Sequence, residues 1–424
     1  MVKKIFFNAG SQVIGKVVTA SVSALIALLI VKSLGRPGFG QYTIISVFVG
    51  YFYTFADFGL NTIYIKLSKG EKVKEDNLLG ALVGLRIIIS ILLVITAIII
   101  AVALPYNLQK STGFSPIVKV GIVILSITII TQALFTSANA YFQKILRYDL
   151  SAIASAASAI TVLIASALIY FSGGSVLKFT SAYVFGGLSL VVVVFLLIKI
   201  KTGEMIIPLF SKSLWIKFLK LSWPVGLALI INLVYFRVDV LILTYVRSTA
   251  EVGLYGLAYL FFEAGLTVPI FFANALYPYL TGVHNKDIVD FKKQITFWSK
   301  ILFFVSILES FGLIIVSFLI PVPFFFGHDF SGSVPALQIL ALGLPFFFLS
   351  ALLWHVIIIH NKQKLLLYIY AAGAIFNLIT NLIFIPVYGY MAAAVTTVVS
   401  EALVMFLLFI VVKRSSVTPI PSLS

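Results

Sequence analysis

The chain has no cysteine among its 424 residues, so disulfides, thiol catalysis and cysteine metal sites are excluded. Charge is also scarce: Asp, Glu, Lys and Arg make up 10% of the sequence, against 61% hydrophobic residues. Mean hydropathy is +1.13. No soluble domain of this length hides so much apolar surface in one core. Acids are rarer than bases, 14 against 30 Lys and Arg, leaving a net charge of +16. That excess does not point to nucleic acid. The cations lie mostly between apolar runs, where they set orientation and meet the headgroups of membrane lipids. Histidine is rare too, and His284, His328, His355 and His360 share no metal-ligand spacing. No phosphate loop of the form GxxxxGK[ST] occurs. No metal, cofactor, ATP hydrolysis or other enzymatic reaction is expected.

What the chain does contain is about twelve long apolar spans, at 8–34, 41–65, 78–104, 117–141, 150–171, 176–199, 223–246, 252–280, 297–320, 335–359, 365–386 and 389–412. Clusters such as Lys69-Gly70-Glu71-Lys72 and Ser172-Gly173-Gly174-Ser175 separate them. The expected fold class is an all-α integral membrane protein. Met1-Val2-Lys3-Lys4 precedes a run too long for a signal-peptide core, so a retained first helix is expected. With a cytoplasmic N-terminus, twenty of the thirty Lys and Arg fall in inward segments, six in outward segments and four (Lys16, Arg86, Arg237 and Lys300) within spans. That bias places both termini in the cytoplasm.

The sequence also repeats itself at an offset of 213. Gly40, Tyr42, Phe48, Phe58, Asn61, Tyr64 and Leu67 match Gly253, Tyr255, Phe261, Phe271, Asn274, Tyr277 and Leu280, seven identities in 28 positions. Six spans separate the copies, so the repeats are parallel. The expected organisation is two pseudo-symmetric six-helix lobes, 1–204 and 223–424, joined by 205–222. In that linker Lys212, Lys217 and Lys220 alternate with Leu214, Trp215, Phe218 and Leu219, the pattern of an interfacial amphipathic helix.

Three stretches resemble the Wzx-type polysaccharide flippases of the multidrug/oligosaccharidyl-lipid/polysaccharide (MOP) exporter superfamily. The first is Leu34-Gly35-Arg36-Pro37-Gly38-Phe39-Gly40-Gln41-Tyr42 followed by Asp57-Phe58-Gly59-Leu60. The second runs from Ser222-Trp223-Pro224 through Arg237-Val238-Asp239 to Val252-Gly253-Leu254-Tyr255. The third holds Asn377, Asn381, Ile385-Pro386-Val387-Tyr388-Gly389 and Ala392-Ala393-Ala394. The resemblance implies a MATE-like pair of lobes with helices 1, 2, 7 and 8 around a central cavity. It further implies alternating access that carries a lipid-linked oligosaccharide across the cell membrane, with glycan-assembly enzymes as partners.

Charges inside spans are the candidate site, because an ionisable group in hydrocarbon is costly unless it serves a pathway or a pair. Arg237, near the middle of helix 7, either meets an anionic cargo or pairs with an acid of another helix. Asp239, two residues on and roughly 200° around the helix, points away from it. Asp239 is either a proton or cation site or a tie to a neighbouring helix. Lys16 either lines the cavity or snorkels to the cytoplasmic surface, and Arg86 is expected to snorkel. The resemblance makes Asp57 and Glu263 the leading acids for the cavity. Glu309 and Glu401, on peripheral helices, read as buried protonated or paired carboxyls. Any of these acids suits coupling to H+ or Na+. Asn61 and Asn274 recur in the repeat and join the candidates, although membrane amides more often bond helices together. The leading function is flipping a lipid-linked glycan. The alternative is cation-coupled export of drugs or small solutes. A membrane-embedded glycan polymerase fits less well, since the longest outward segments, near 105–116 and 321–334, are short and poor in acids.

Overall fold

The computed structural model describes residues 2–70, 75–203, 205–321 and 325–415. Backbone amides in hydrocarbon find no water, so apolar runs of this length satisfy themselves as helices. The described residues form α1 (Val2–Asp57), α2 (Leu60–Gly70), α3 (Glu75–Ala103), α4 (Pro116–Lys144), α5 (Tyr148–Phe171), α6 (Val176–Thr202), α7 (Lys212–Val246), α8 (Thr249–Gly265), α9 (Thr267–His284), α10 (Ile288–Ser317), α11 (Ser333–Ile359), α12 (Gln363–Tyr388) and α13 (Tyr390–Ser415). The β-structure among them is one antiparallel two-residue pair, β1 (Tyr106–Asn107) with β2 (Thr112–Gly113), between α3 and α4.

Eleven stretches of the described chain are long and apolar enough to cross a bilayer. The first, Thr19–Ser68, has 50 residues. A straight helix of that length would run about 75 Å, against a hydrocarbon core of about 30 Å. It turns at Gly35 (φ 63°, ψ −172°), two residues before Pro37. This stretch therefore holds both the first and second expected spans, and the reading of about twelve stands.

Two helices expected to be continuous are broken. The second span stops at Asp57, passes through Phe58 (φ 41°) and Gly59 (φ 71°), and resumes as α2. A Cβ at Gly59 would fall 2.6 Å from Val225 Cγ1, and one at Gly226 would fall 2.5 Å from the Phe58 ring. The break is thus held by close packing on α7 just after Pro224. The eighth span is interrupted at Leu266, between α8 and α9, where the backbone stays right-handed (φ −58°, ψ −15°) and the Leu266 N–H still donates to Phe262 O at 3.0 Å. Pro269 lies one turn beyond Gly265 and has no N–H for the Gly265 carbonyl.

The linker also departs from expectation. Residues 205–211 are non-helical and lie along α3, with the Leu209 N–H donating to Gly80 O at 2.9 Å. Trp215 Nε1 donates to Ala81 O at 3.0 Å. Gly80 and Gly84, one turn apart, allow this approach: a Cβ at Gly84 would sit 2.5 Å from Leu209 O. The amphipathic stretch is not a separate helix but the opening turns of α7, with Phe218 buried and Lys212, Lys217 and Lys220 exposed. Pro224 removes a single backbone bond, and α7 continues through it to Val246.

The chain folds as two compact units. One comprises Met1–Leu233 with Arg247–Gly253, the other Val234–Val246 with Leu254–Ser424. In the first, α1 packs on α4 and α5, α5 on α6, and α3 on α4. In the second, α11 packs on α13, α10 and α9, and α12 on α13. Large aliphatics such as Leu92, Ile99, Ile164 and Leu382 point outward, as lipid-facing side chains do.

The sequence repeat has a physical counterpart inside the first unit. A Cβ at Gly40 would fall on the carbonyl oxygen of Thr249, and one at Gly253 would fall on that of Arg36. Residues 36 and 249, and 40 and 253, differ by the same 213 positions. The contact is reciprocal: each glycine faces the carbonyl four residues before the other. Only glycine lets the two backbones cross this closely.

Candidate functional site

The candidate residues resolve into separate clusters. In the first unit, Asp57 ends α1 and Asn61 opens α2, so the break between them sets both side chains beside Arg86 of α3. Arg86 Nη2 lies 2.7 Å from Asp57 Oδ1 and 2.9 Å from Asn61 Oδ1. Its Nη1 donates to Ser137 Oγ of α4 at 3.3 Å. The Arg86 side chain is 0% exposed, whereas Asp57 is 31% exposed. The expectation that Arg86 snorkels to the surface is overturned. A guanidinium fully enclosed among three polar partners gains more from a fixed carboxylate than from stretching toward headgroups. Asp57 and Asn61 are brought together around this cation.

In the second unit, α7 presents Arg237 and Asp239 to different neighbours. Arg237 Nη2 meets Glu263 Oε2 of α8 at 2.5 Å, and its Cζ stands 4.4 Å over the Tyr259 ring. The Tyr259 hydroxyl is anchored by donating to Phe236 O at 3.0 Å. Arg237 is 24% exposed and Glu263 56%. The cation therefore has a carboxylate on one side and an aromatic face on another, and keeps an open edge. Asp239 points the other way, as its spacing from Arg237 implied, and is buried. It accepts from the Tyr255 hydroxyl of α8 and from the Val240 N–H at 2.7 Å. Thr397 Oγ1 of α13 is 3.5 Å from the Tyr255 hydroxyl. Beside it on α13, Thr396 donates to Asn381 Oδ1 at 2.5 Å, and Asn381 donates to Asn377 Oδ1 at 2.9 Å. Asn274 lies apart from both clusters, 3.2 Å from His355 Nε2. Lys16 falls in the backbone of α1, but its side chain lies outside the described residues.

Tyr255, Tyr259 and Thr397 escaped the sequence reading. Tyr255 carried a signal, since it matches Tyr42 in the repeat, but aromatic content in a membrane chain reads first as packing. Glu401, buried on α13, accepts from the Tyr235 hydroxyl at 2.6 Å. Among the described residues no group of three or more His, Asp or Glu could hold a metal ion. His284 and His360 approach to 5.3 Å between ring centroids, at the ends of α9 and α11. Burial lowers the His360 imidazole below its ordinary value, which keeps it neutral. A cavity of about 230 Å³ in the first unit is lined by Asn77, Leu79, Tyr141, Thr202 and residues 205–209. Among the described residues no charged side chain lines it.

The apolar helices thus hold a buried Arg86 paired with Asp57, a part-exposed Arg237–Glu263 pair and a buried Asp239. The model of the family described as "Polysaccharide biosynthesis protein" matches residues 2–284. The chain belongs to this family. Among curated proteins none matches the sequence significantly. Solved structures share its fold at low identity. The lipid II flippase MurJ, in an inward closed conformation, is 18% identical with a TM-score of 0.74, over 96% of this chain and 87% of that one. An inward-facing multidrug resistance MATE family transporter of the MOP superfamily is 11% identical with a TM-score of 0.73, over 94% of each chain. A MOP superfamily transporter from Pyrococcus furiosus, described as having a binding pocket of reverse polarity, is 13% identical with a TM-score of 0.62, over 98% and 97%. The fold of this family member is thus that of the MOP superfamily, in a multi-pass membrane protein.

Proposed function

We propose that the chain is a flippase. It moves a lipid-linked oligosaccharide or polysaccharide repeat unit from the cytoplasmic to the external leaflet of the plasma membrane, by alternating access. The product feeds assembly of cell-surface glycan or glycoprotein, with glycan-assembly enzymes as partners on either side of the step.

Within a family of polysaccharide biosynthesis proteins, the observation that carries this reading is the openness of Arg237. A purely structural ion pair in hydrocarbon gains by being enclosed, yet Glu263 of this pair is 56% exposed. Open charges at this depth fit a hydrated passage. Five N–H donors in a planar fork suit phosphate oxygens, and Glu263 engages only Nη2 of Arg237. A pyrophosphate would take the open edge or displace Glu263. Glu263 then has two tasks, aiming the guanidinium before cargo arrives and competing with the cargo so that it leaves. Asp239, buried and bonded only to neutral donors among the described residues, is the acid through which H+ or Na+ would drive the cycle.

The test is surface glycan in cells that carry Arg237→Ala. Loss of export with normal membrane insertion supports the reading; normal surface glycan removes Arg237 from the substrate path. A second reading, export of drugs or small solutes, draws support from the MATE likeness, whose TM-score nearly equals that of the flippase. Transport of organic cations by the purified protein would favour it.

A further inference from the structure

Glu309 sits deep in α10, and nothing in the proposed function uses it. A Cβ at Gly265 would lie 2.8 Å from Glu309 Oε1, so the carboxyl rests directly on the break between α8 and α9. That break holds a carbonyl without its helical donor, since Pro269 has no N–H to give Gly265 O. Glu309 Oε2 is buried and has no hydrogen-bond partner among the described residues. The other described acids deep in the spans are satisfied: Asp57 by Arg86, Glu263 by Arg237, Asp239 by Tyr255 and Glu401 by Tyr235.

The surroundings supply no counter-charge. α9 carries no charged residue; its titratable groups are Tyr277, Tyr279 and, at its end, His284. α11 carries His355, whose ring is engaged by Ala351 O and Asn274. α8 carries Glu251, 4.0 Å from Arg247, and Glu263, paired with Arg237. The other charged residues of α10 itself are Asp290, Lys292, Lys293 and Lys300, all two or more turns away. An ionised carboxylate so placed is costly, whereas a neutral carboxyl is not.

We propose that Glu309 and the α8–α9 break form a proton-binding site. The neutral carboxyl gives its O–H to the carbonyl left free at Gly265. Loss of the proton puts a carboxylate against carbonyl oxygens and loosens the break. The site is independent of what the protein transports.

Dicyclohexylcarbodiimide tests this on the full chain in detergent, because the O–H of a protonated carboxyl adds across its C=N bond. The O-acylisourea rearranges to a stable N-acylurea, which is located by mass spectrometry. Glu309 should be labelled at about pH 6, with labelling reduced roughly tenfold by about pH 9. Glu263, paired with Arg237, should stay unlabelled. Hydrogen exchange across residues 262–270, corrected for intrinsic rate, should rise over the same pH range in the wild type and stay level in Glu309→Gln. Three results would overturn the site: no labelling of Glu309 at either pH, labelling that ignores pH, or protection by Na+ at constant pH. The labelling experiment needs no variant, so it stands even where Glu309→Gln fails to fold.

Discussion

Removing the Asp57 carboxylate should damage the protein more than removing its arginine partner. Asp57→Ala leaves the Arg86 guanidinium, 0% exposed, with only neutral acceptors: Asn61 Oδ1 at 2.9 Å, Ser137 Oγ at 3.3 Å and a backbone carbonyl at 3.4 Å. An uncompensated buried charge costs about 3–5 kcal/mol. Arg86→Ala leaves instead a carboxylate that is already 31% exposed and can turn toward water, so its cost is lower, about 1–3 kcal/mol. Replacing both residues, with Asp57→Leu and Arg86→Met, should recover most of the stability lost in Asp57→Ala. Unfolding in mixed micelles, followed by tryptophan fluorescence across a denaturant series, gives the three values and their coupling. This picture of Arg86 fails if Asp57→Ala costs under about 1 kcal/mol, or if Arg86→Ala costs more. The first result would mean that the guanidinium reaches water after all; the second, that the void left by this enclosed side chain outweighs the unpaired charge.

Gly40→Ala and Gly253→Ala should each destabilise the protein by about 1–3 kcal/mol, because the new methyl meets a backbone carbonyl rather than a flexible side chain. Thermal unfolding checks this, and a neutral effect of either would deny the close crossing. Tyr255→Phe removes the hydroxyl that Asp239 accepts and should cost about 1–2 kcal/mol in the same assay. An unchanged midpoint would mean that the buried acid is held by other groups.

The spans and the parallel repeat were legible because both are carried by many residues at once: long runs of high hydropathy, and identities spread over Gly40 to Leu67 and Gly253 to Leu280. The helix breaks were not. Phe58 and Gly59 leave hydropathy unchanged, and a positive φ at a phenylalanine is imposed by packing on Val225 and Gly226, far away in sequence. Arg86 was misplaced for the same reason. Its partner is 29 residues upstream, and depth alone suggested the headgroups. Asp239 was better served, since helical spacing sets it on a different face of α7 from Arg237; spacing did not say which acid Arg237 would meet. Tyr255 and Tyr259 stayed hidden because a tyrosine in a membrane helix announces packing until its hydroxyl is seen on Asp239 or its ring beneath Arg237.

The deciding experiment uses purified protein in lipid vesicles and a fluorescent prenyl-pyrophosphate oligosaccharide placed in one leaflet. Wild type should move it to the opposite leaflet, Arg237→Ala should lose most of that rate, and organic cations should not be carried. A wild type that leaves the glycan lipid in place while transporting organic cations would overturn the flippase reading.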